Sequence, residues 1–279
     1  MNFSIIVSTI GKQSLIPLLE SISRQEIDLL EVIVVNQGNE GVVKNQLDDF
    51  EDELNIRYIK DNGKGLSRGR NIGLTYAKGD FINFADDDCW YSDSVLIDVE
   101  NYFLSNQSVD YLSVFVDDEN GSGSIASFQN YPGRIDRKNI FTTHVEFAIF
   151  FRKRFFNNNL RYDENMGVGC PTKVQADEGL DLLFRSMKLG RIGYYLPSLT
   201  IYHPSPFEQS GKNMAYRGYH YSYARGYLTK KYKLPLNSFF YTMLKHLMGC
   251  WLYLLVGNVA KFKYYLNCGA GRFAGYFNL

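Results

Sequence analysis

The stretch Phe81-Ile82-Asn83-Phe84-Ala85-Asp86-Asp87-Asp88 decides how this chain folds. A short, largely apolar run stops at three adjacent carboxylates, and no strand interior tolerates such a trio. The acids therefore stand at the open end of a buried strand, in or beside a cleft. Like charges packed so closely call for a cation. An oxygen-rich cluster suits a hard divalent ion such as Mg²⁺ or Mn²⁺, which can in turn hold a diphosphate. A solvated acidic turn is the plainer alternative, because Asp is a common turn residue.

Working back toward the N-terminus, strand and helix signals alternate. Residues 3–8 form a β-rich run, and residues 13–24 place Leu15, Leu18, Leu19 and Ile22 at helical spacing. A second apolar run, 30–35, ends in the polar turn Asn36-Gln37-Gly38-Asn39, followed by a predicted helix over 42–52 and a short strand over 56–59. Ser67 is predicted to cap a helix through Ala77, with Gly79 ending it. Strands separated by such helices predict an α/β fold with a mostly parallel sheet covered on both faces. Ligands of these sheets lie at the carboxyl ends of the strands. Ser8-Thr9-Ile10-Gly11, Asn36-Gln37-Gly38 and the three aspartates should therefore converge.

Beyond residue 88 the pattern predicts a helix near 95–103, a strand over 111–116 and a polar loop over 117–124. A helix over 178–189 carries Leu180, Leu183, Phe184 and Met187 on one face, and a strand follows over 193–196. At 279 residues the chain can hold one large α/β domain with a smaller appendage. Its four cysteines lie far apart, which signals neither a zinc site nor a disulfide framework and fits a reducing compartment. The first residues lead straight into an apolar strand without a basic n-region, so the expected location is cytoplasmic.

Three further groups of residues bear on chemistry. Residues 62–73 read Asn-Gly-Lys-Gly-Leu-Ser-Arg-Gly-Arg-Asn-Ile-Gly, which brings glycines, three cations and a helix N-terminus together in one turn, suited to an anion. With Asp86 about twenty residues on, Gly63, Gly65 and Gly69 also loosely match a dinucleotide fingerprint. That leaves a NAD(P)-dependent oxidoreductase as a rival reading. Against it, the motif follows the third strand, and a ribose-binding acid needs no two acidic neighbours. Asp177-Glu178 open a helix, where acids are favoured by the dipole alone, and where a carboxylate could also serve as general base. His203, between Tyr202 and Pro204 at the end of a strand-like run, is placed to face a cleft and coordinate a divalent metal.

Taken in order, these segments resemble the family 2 glycosyltransferases of bacterial surface-polysaccharide assembly. The resemblance rests on Ser4-Ile5-Ile6-Val7-Ser8-Thr9, on Glu31-Val32-Ile33-Val34-Val35-Asn36-Gln37, and on Gly65-Leu66-Ser67-Arg68-Gly69-Arg70-Asn71-Ile72-Gly73-Leu74. Phe84-Ala85-Asp86-Asp87-Asp88, Asp177-Glu178 with Asp181-Leu182-Leu183-Phe184-Arg185, and His203-Pro204 continue it over about residues 1–230. It implies the GT-A fold, a nucleotide-sugar donor and a Mn²⁺ or Mg²⁺ cofactor. Thr9 and Ile10 would hold the nucleotide base, and Asn36 occupies the place of an Asp that pairs with it. Arg68 and Arg70 would sit near the diphosphate or base, Asp86 would contact ribose or sugar, and Asp88 with His203 would bind the metal. The catalytic base would be Glu178, with Asp177 as the alternative, because aligning on Asp181-Leu182 without a gap leaves Gly179 at the base position. The implied reaction is an inverting single displacement onto an acceptor hydroxyl. A degenerate, non-catalytic sugar-nucleotide or glycan binder is the other rival, opened by Asn36 and the shifted base motif.

The net charge of zero hides a division. No Asp or Glu follows Glu208, whereas ten Lys or Arg do; the preceding 208 residues carry 20 basic against 30 acidic side chains. Tyrosines crowd the same tail (Tyr216, Tyr219, Tyr221, Tyr223, Tyr227), and residues 239–256 are strongly apolar yet contain Lys245 and His246. We expect a catalytic domain over 1–210 and a basic, aromatic helical region over 211–279. The latter suits the headgroup region of an anionic membrane on its inner face, next to a glycan or lipid-linked saccharide acceptor. It is too apolar for a nucleic-acid-binding arm, and simple packing on the catalytic domain is the bland alternative.

Overall fold

The structure, a computed structural model, describes residues 2–27, 30–118, 128–204 and 214–279. A nine-stranded sheet runs through its centre in the order β3-β2-β1-β4-β8-β6-β9-β5, with β7 paired to β9. Four parallel neighbours form its first half: β1 (Phe3–Thr9), β2 (Leu30–Asn36), β3 (Asn55–Lys60) and β4 (Phe81–Ala85). In the second half β8 (Ile149–Arg152) runs antiparallel between β4 and β6 (Tyr111–Asp117), and β9 (Gly193–Tyr202) lies parallel to β6. The short β5 (Trp90–Tyr91) and β7 (Gly133–Ile135) pair antiparallel with β9.

Strand alternation sorts the apolar side chains into two cores. Phe3, Ile5 and Val7 face α1 (Ile16–Ser23), α2 (Glu40–Leu47) and α4 (Val95–Ser105), while Ile6, Ile33 and Val35 face α3 (Leu66–Tyr76) and α5 (Glu178–Lys188). The predicted helical stripe of Leu15, Leu18, Leu19 and Ile22 is wholly buried in the first core, and Leu180, Leu183 and Phe184 are buried in the second. Three helices complete the chain: α6 (Met214–Lys231), α7 (Leu236–Leu255) and α8 (Val259–Phe277).

Two local expectations need correction. Ser67 does not cap α3; Gly65 does, at φ 113°, and the Ser67 hydroxyl instead donates to the Met166 carbonyl at 2.6 Å. Only glycine adopts that φ without strain. Gly79 lies past the end of α3, and its role is close approach to β1, since a side chain there would strike the Ser4 backbone. Of the expected loop over 117–124, Asp117 ends β6, and residues 119–124 lie outside the described residues.

Register brings the strand ends together. Thr9 lies opposite Asn36, Asn36 opposite Lys60, and Val7 opposite Ala85. Parallel pairing therefore delivers Thr9, Asn36, Asp61 and the aspartate run to one edge of the sheet, and β9 delivers His203 there from the other half.

Candidate active site

At the end of β4 the three aspartates part ways. Asp86 turns to Arg70, which donates through Nη2 at 2.8 Å. Asp87 accepts a hydrogen bond from the Thr9 hydroxyl at 2.5 Å, tying β4 to the end of β1. Burial pushes the Asp87 carboxyl up to about 6, against the opposing pull of the Thr9 hydrogen bond. Asp88 faces His203, whose Nε2 lies 3.1 Å from its Oδ1.

Asp86, Asp88 and His203 each offer one ligand atom, all within 4.8 Å of one another, in a partly buried position. The His203 ring is held by stacking on Phe147, with centroids 5.0 Å apart, and by a hydrogen bond between Nδ1 and the Pro204 carbonyl at 2.8 Å. Donation from Nδ1 leaves Nε2 as the atom aimed at the aspartates, the arrangement usual for a metal-ligating imidazole. Two carboxylates and one imidazole fit a divalent cation that keeps open positions for donor oxygens. Burial works against a proton on His203, but the Asp88 carboxylate more than offsets it and raises the imidazole above its usual value.

Behind this cluster lies a buried knot. The Arg70 guanidinium binds Asp86, Glu146 at 2.5 Å and Glu178 at 3.1 Å, with its face 5.5 Å from the Tyr162 ring. Burial opposes its charge, yet the carboxylates around it keep it firmly protonated. Three anions around one cation leave an excess of negative charge in a dry setting, which favours a retained proton. Burial raises both Glu146 and Glu178, Glu146 further, and a hydrogen bond between the two carboxyls raises Glu146 while lowering Glu178. Glu146 also accepts from the Gly179 N–H at 3.1 Å, fastening the first turn of α5.

Asp177 sits just ahead of Glu178 at φ 61°, in the left-handed region. Its carboxylate is taken by Arg225 of α6 in a two-pronged pair at 2.7 and 3.0 Å. One turn on, buried Asp181 accepts from Lys231, Tyr232 and Arg185. The tail helix α6 is thus latched to the helix that begins with Glu178.

The remaining expected residues lie along the edge of the sheet. Asn36 is buried, donating to the Tyr58 hydroxyl and the Asn39 carbonyl and accepting from the Gly38 N–H. Ile10 is exposed beside it. Arg68 is part-exposed and forms a two-pronged pair with Asp61, holding that carboxyl well below the usual range. The cavity of about 530 Å³ between Gly63, Lys64, Arg68 and Glu164 opens next to this pair. Sequence reasoning missed Asp61 and Glu146. Asp61 comes directly after β3 and its N–H bonds the carbonyl of Asn36, the last residue of β2, so strand-end position was a signal for it. Glu146 lies in an isolated turn of helix with no periodicity around it.

A one-sided row of strand ends carrying acids, a histidine and a glycine-led helix start is the arrangement of a GT-A fold. The family profile "Glycosyl transferase family 2" matches residues 4–172, and the chain belongs to that family. It is 29% identical over 171 residues to the "Uncharacterized glycosyltransferase YwdF" of Bacillus subtilis, covering 58% of this chain and 62% of that protein. It is 28% identical over 128 residues to the poly(ribitol-phosphate) β-N-acetylglucosaminyltransferase TarS of Staphylococcus aureus, covering 44% of this chain and 22% of TarS. The chain thus spans less than two thirds of these relatives. Among solved structures, TarS 1–349 in complex with UDP-GlcNAc superposes with a TM-score of 0.63 at 16% identity, covering all of this chain and 92% of that one. The mannosyltransferase PcManGT of Pyrobaculum calidifontis, in complex with GDP-Man and Mn²⁺, gives 0.62 at 14% identity, covering 99% and 87%. These two likenesses are of fold.

Proposed function

We propose that the protein is a metal-dependent, inverting glycosyltransferase that moves a sugar from a nucleotide-sugar donor to a hydroxyl of a glycan or lipid-linked saccharide acceptor. The observation that carries the reading is the convergence of Asp86, Asp88 and His203 in front of the Arg70–Glu178 knot. Similarity to TarS and to the "Minor teichoic acid biosynthesis protein GgaB" of Bacillus subtilis supports a surface-polysaccharide acceptor. Residues 1–210 hold the donor and catalytic groups; residues 211–279 form the peripheral, membrane-facing part, on the cytoplasmic side. No helix among the described residues is long and apolar enough to cross a membrane.

Asp88 and His203 would hold Mn²⁺ or Mg²⁺, with Asp86 beside them. The ion would supply positive charge against the departing nucleoside diphosphate. Ile10 and Arg68 border the edge on which the nucleotide would lie, with Thr9 and Asn36 buried just behind them and shaping it. Glu178 accepts the proton of the acceptor hydroxyl, whose oxygen attacks the anomeric carbon from the face opposite the leaving group. Arg70 is committed to three carboxylates, so its work is to position Asp86 and Glu178 relative to each other. Asp177, engaged by Arg225, orients the start of α5 next to the base.

A thermal-shift panel of UDP-, GDP-, CDP- and dTDP-sugars, with and without Mn²⁺, against NADH tests the class. Stabilisation by one sugar nucleotide only with metal is expected; stabilisation by NADH without metal would return the oxidoreductase reading. Asp88→Ala should abolish transfer and Glu178→Gln should lower kcat by about 10²–10⁴-fold. Full activity in Glu178→Gln with none in Asp177→Asn would move the base to Asp177.

A further inference from the structure

The outer face of α7 and the turn into α8 have no covering element among the described residues. Leu247, Trp251, Leu254, Leu255, Val256 and Val259 are each 58–77% exposed, whereas α7 buries only Phe239 and Gly249 fully. A soluble surface rarely leaves so continuous an apolar patch open.

The helices α7 and α8 form a hairpin that is anchored to the rest of the protein through α8 and α6. Gly226, Gly271 and Gly275 bring α6 and α8 so close that a Cβ at any of them would collide with backbone carbonyls of the facing helix. The α6 helix is in turn fixed to α5 through Arg225–Asp177 and Lys231–Asp181. Packing is thus spent on α6 and α8, and α7 is left outward.

We infer that the α7–α8 turn inserts into the headgroup region of an anionic leaflet, with Leu254, Leu255, Val256 and Val259 deepest. This rests on the peripheral-membrane reading above and specifies its surface. Charge selects the occupant. Lys245 lies over Tyr241 at 4.5 Å and Lys261 over Tyr253 at 5.0 Å, flanking the apolar face, with exposed Lys263 nearby in sequence. No Asp or Glu follows Glu208. Twofold pairing of this face with a second copy would set lysines against lysines with no side-chain carboxylate to answer them. Anionic lipid headgroups answer them directly.

The test is sedimentation of the full chain with vesicles of phosphatidylcholine alone and of phosphatidylcholine with one quarter phosphatidylglycerol. Binding to the anionic vesicles is expected, reduced tenfold or more by Leu255→Glu with Val256→Glu, and about fivefold by each of Lys245→Gln and Lys261→Gln. Brominated lipid should quench tryptophan fluorescence in the wild type and not in Trp251→Phe. Anionic-vesicle binding unaffected by the turn substitutions would overturn this inference while leaving peripheral association standing. No binding to either vesicle, with a dimer in sedimentation velocity that Leu255→Glu dissociates, would overturn both in favour of self-association. Donor turnover assayed in solution reads the glycosyltransferase assignment separately.

Discussion

At the scale of single residues, His203 makes a pH-dependent claim. With Nδ1 turned to the Pro204 carbonyl, Nε2 must carry a proton to bond Asp88, and the same atom is the one a metal would take. The imidazole is raised above its ordinary value, so the stability this pair contributes is present at low pH and lost as pH rises through the folded-state value. Metal binding has to displace that proton, so Mn²⁺ affinity should weaken as pH falls below it. Calorimetric titrations at pH 8 and pH 6 should show this in the wild type, with a shallower dependence in His203→Gln. Glu146 makes a second claim. Its carboxyl and that of Glu178 both bind Arg70 and are both raised by burial, so under the proposed mechanism it should influence where Glu178 ionises. Glu146→Gln should move the acidic limb of the kcat profile, whereas a purely structural role would lower Tm and leave the limb in place.

At the scale of elements, the contact between α5 and α6 is the joint to test. Arg225→Met would leave the Asp177 carboxylate, now largely enclosed, without its cation. Breaking a buried pair on one side costs about 3–5 kcal/mol, an upper bound for a partly exposed arginine, and Tm should fall accordingly. Asp177→Asn should be milder, since Asn tolerates the left-handed backbone that Asp177 adopts. Most elements were legible beforehand because each carries a strong period: Leu15, Leu18, Leu19 and Ile22 mark α1, and Leu180, Leu183 and Phe184 mark α5. The convergence of Thr9, Asn36 and the aspartates was legible too, because parallel strands place their ends on one edge. The start of α3 was not. A serine looked like its cap, but the positive φ that starts the helix was available only to Gly65. Nor could sequence show that Arg70 would be enclosed, because its three partners come from positions 86, 146 and 178 and meet only through the tertiary fold.

At the scale of the whole molecule, the charge division along the chain becomes a division in space. The acidic strand ends and the Arg70 knot belong to the sheet; the acid-free tail builds a hairpin whose glycines weld it to α6. Gly226→Leu or Gly275→Leu should push α8 from α6 and loosen α6 from α5, lowering Tm together with donor turnover. A loss of Tm with turnover fully kept at low temperature would show that the tail and the catalytic helix are independent. Under the membrane inference, the tail's exposed apolar face and its flanking lysines would meet one and the same leaflet.

The central claim is that residues 115 positions apart, Asp88 and His203, hold one metal ion with Asp86 at the edge of the donor site. Calorimetric titration of Mn²⁺ into the protein in the presence of UDP or GDP tests it most directly. One ion per chain is expected, with affinity reduced at least 100-fold in Asp88→Ala and markedly in His203→Ala while both variants keep the wild-type Tm within a few degrees. Unchanged Mn²⁺ binding in folded Asp88→Ala would contradict the account.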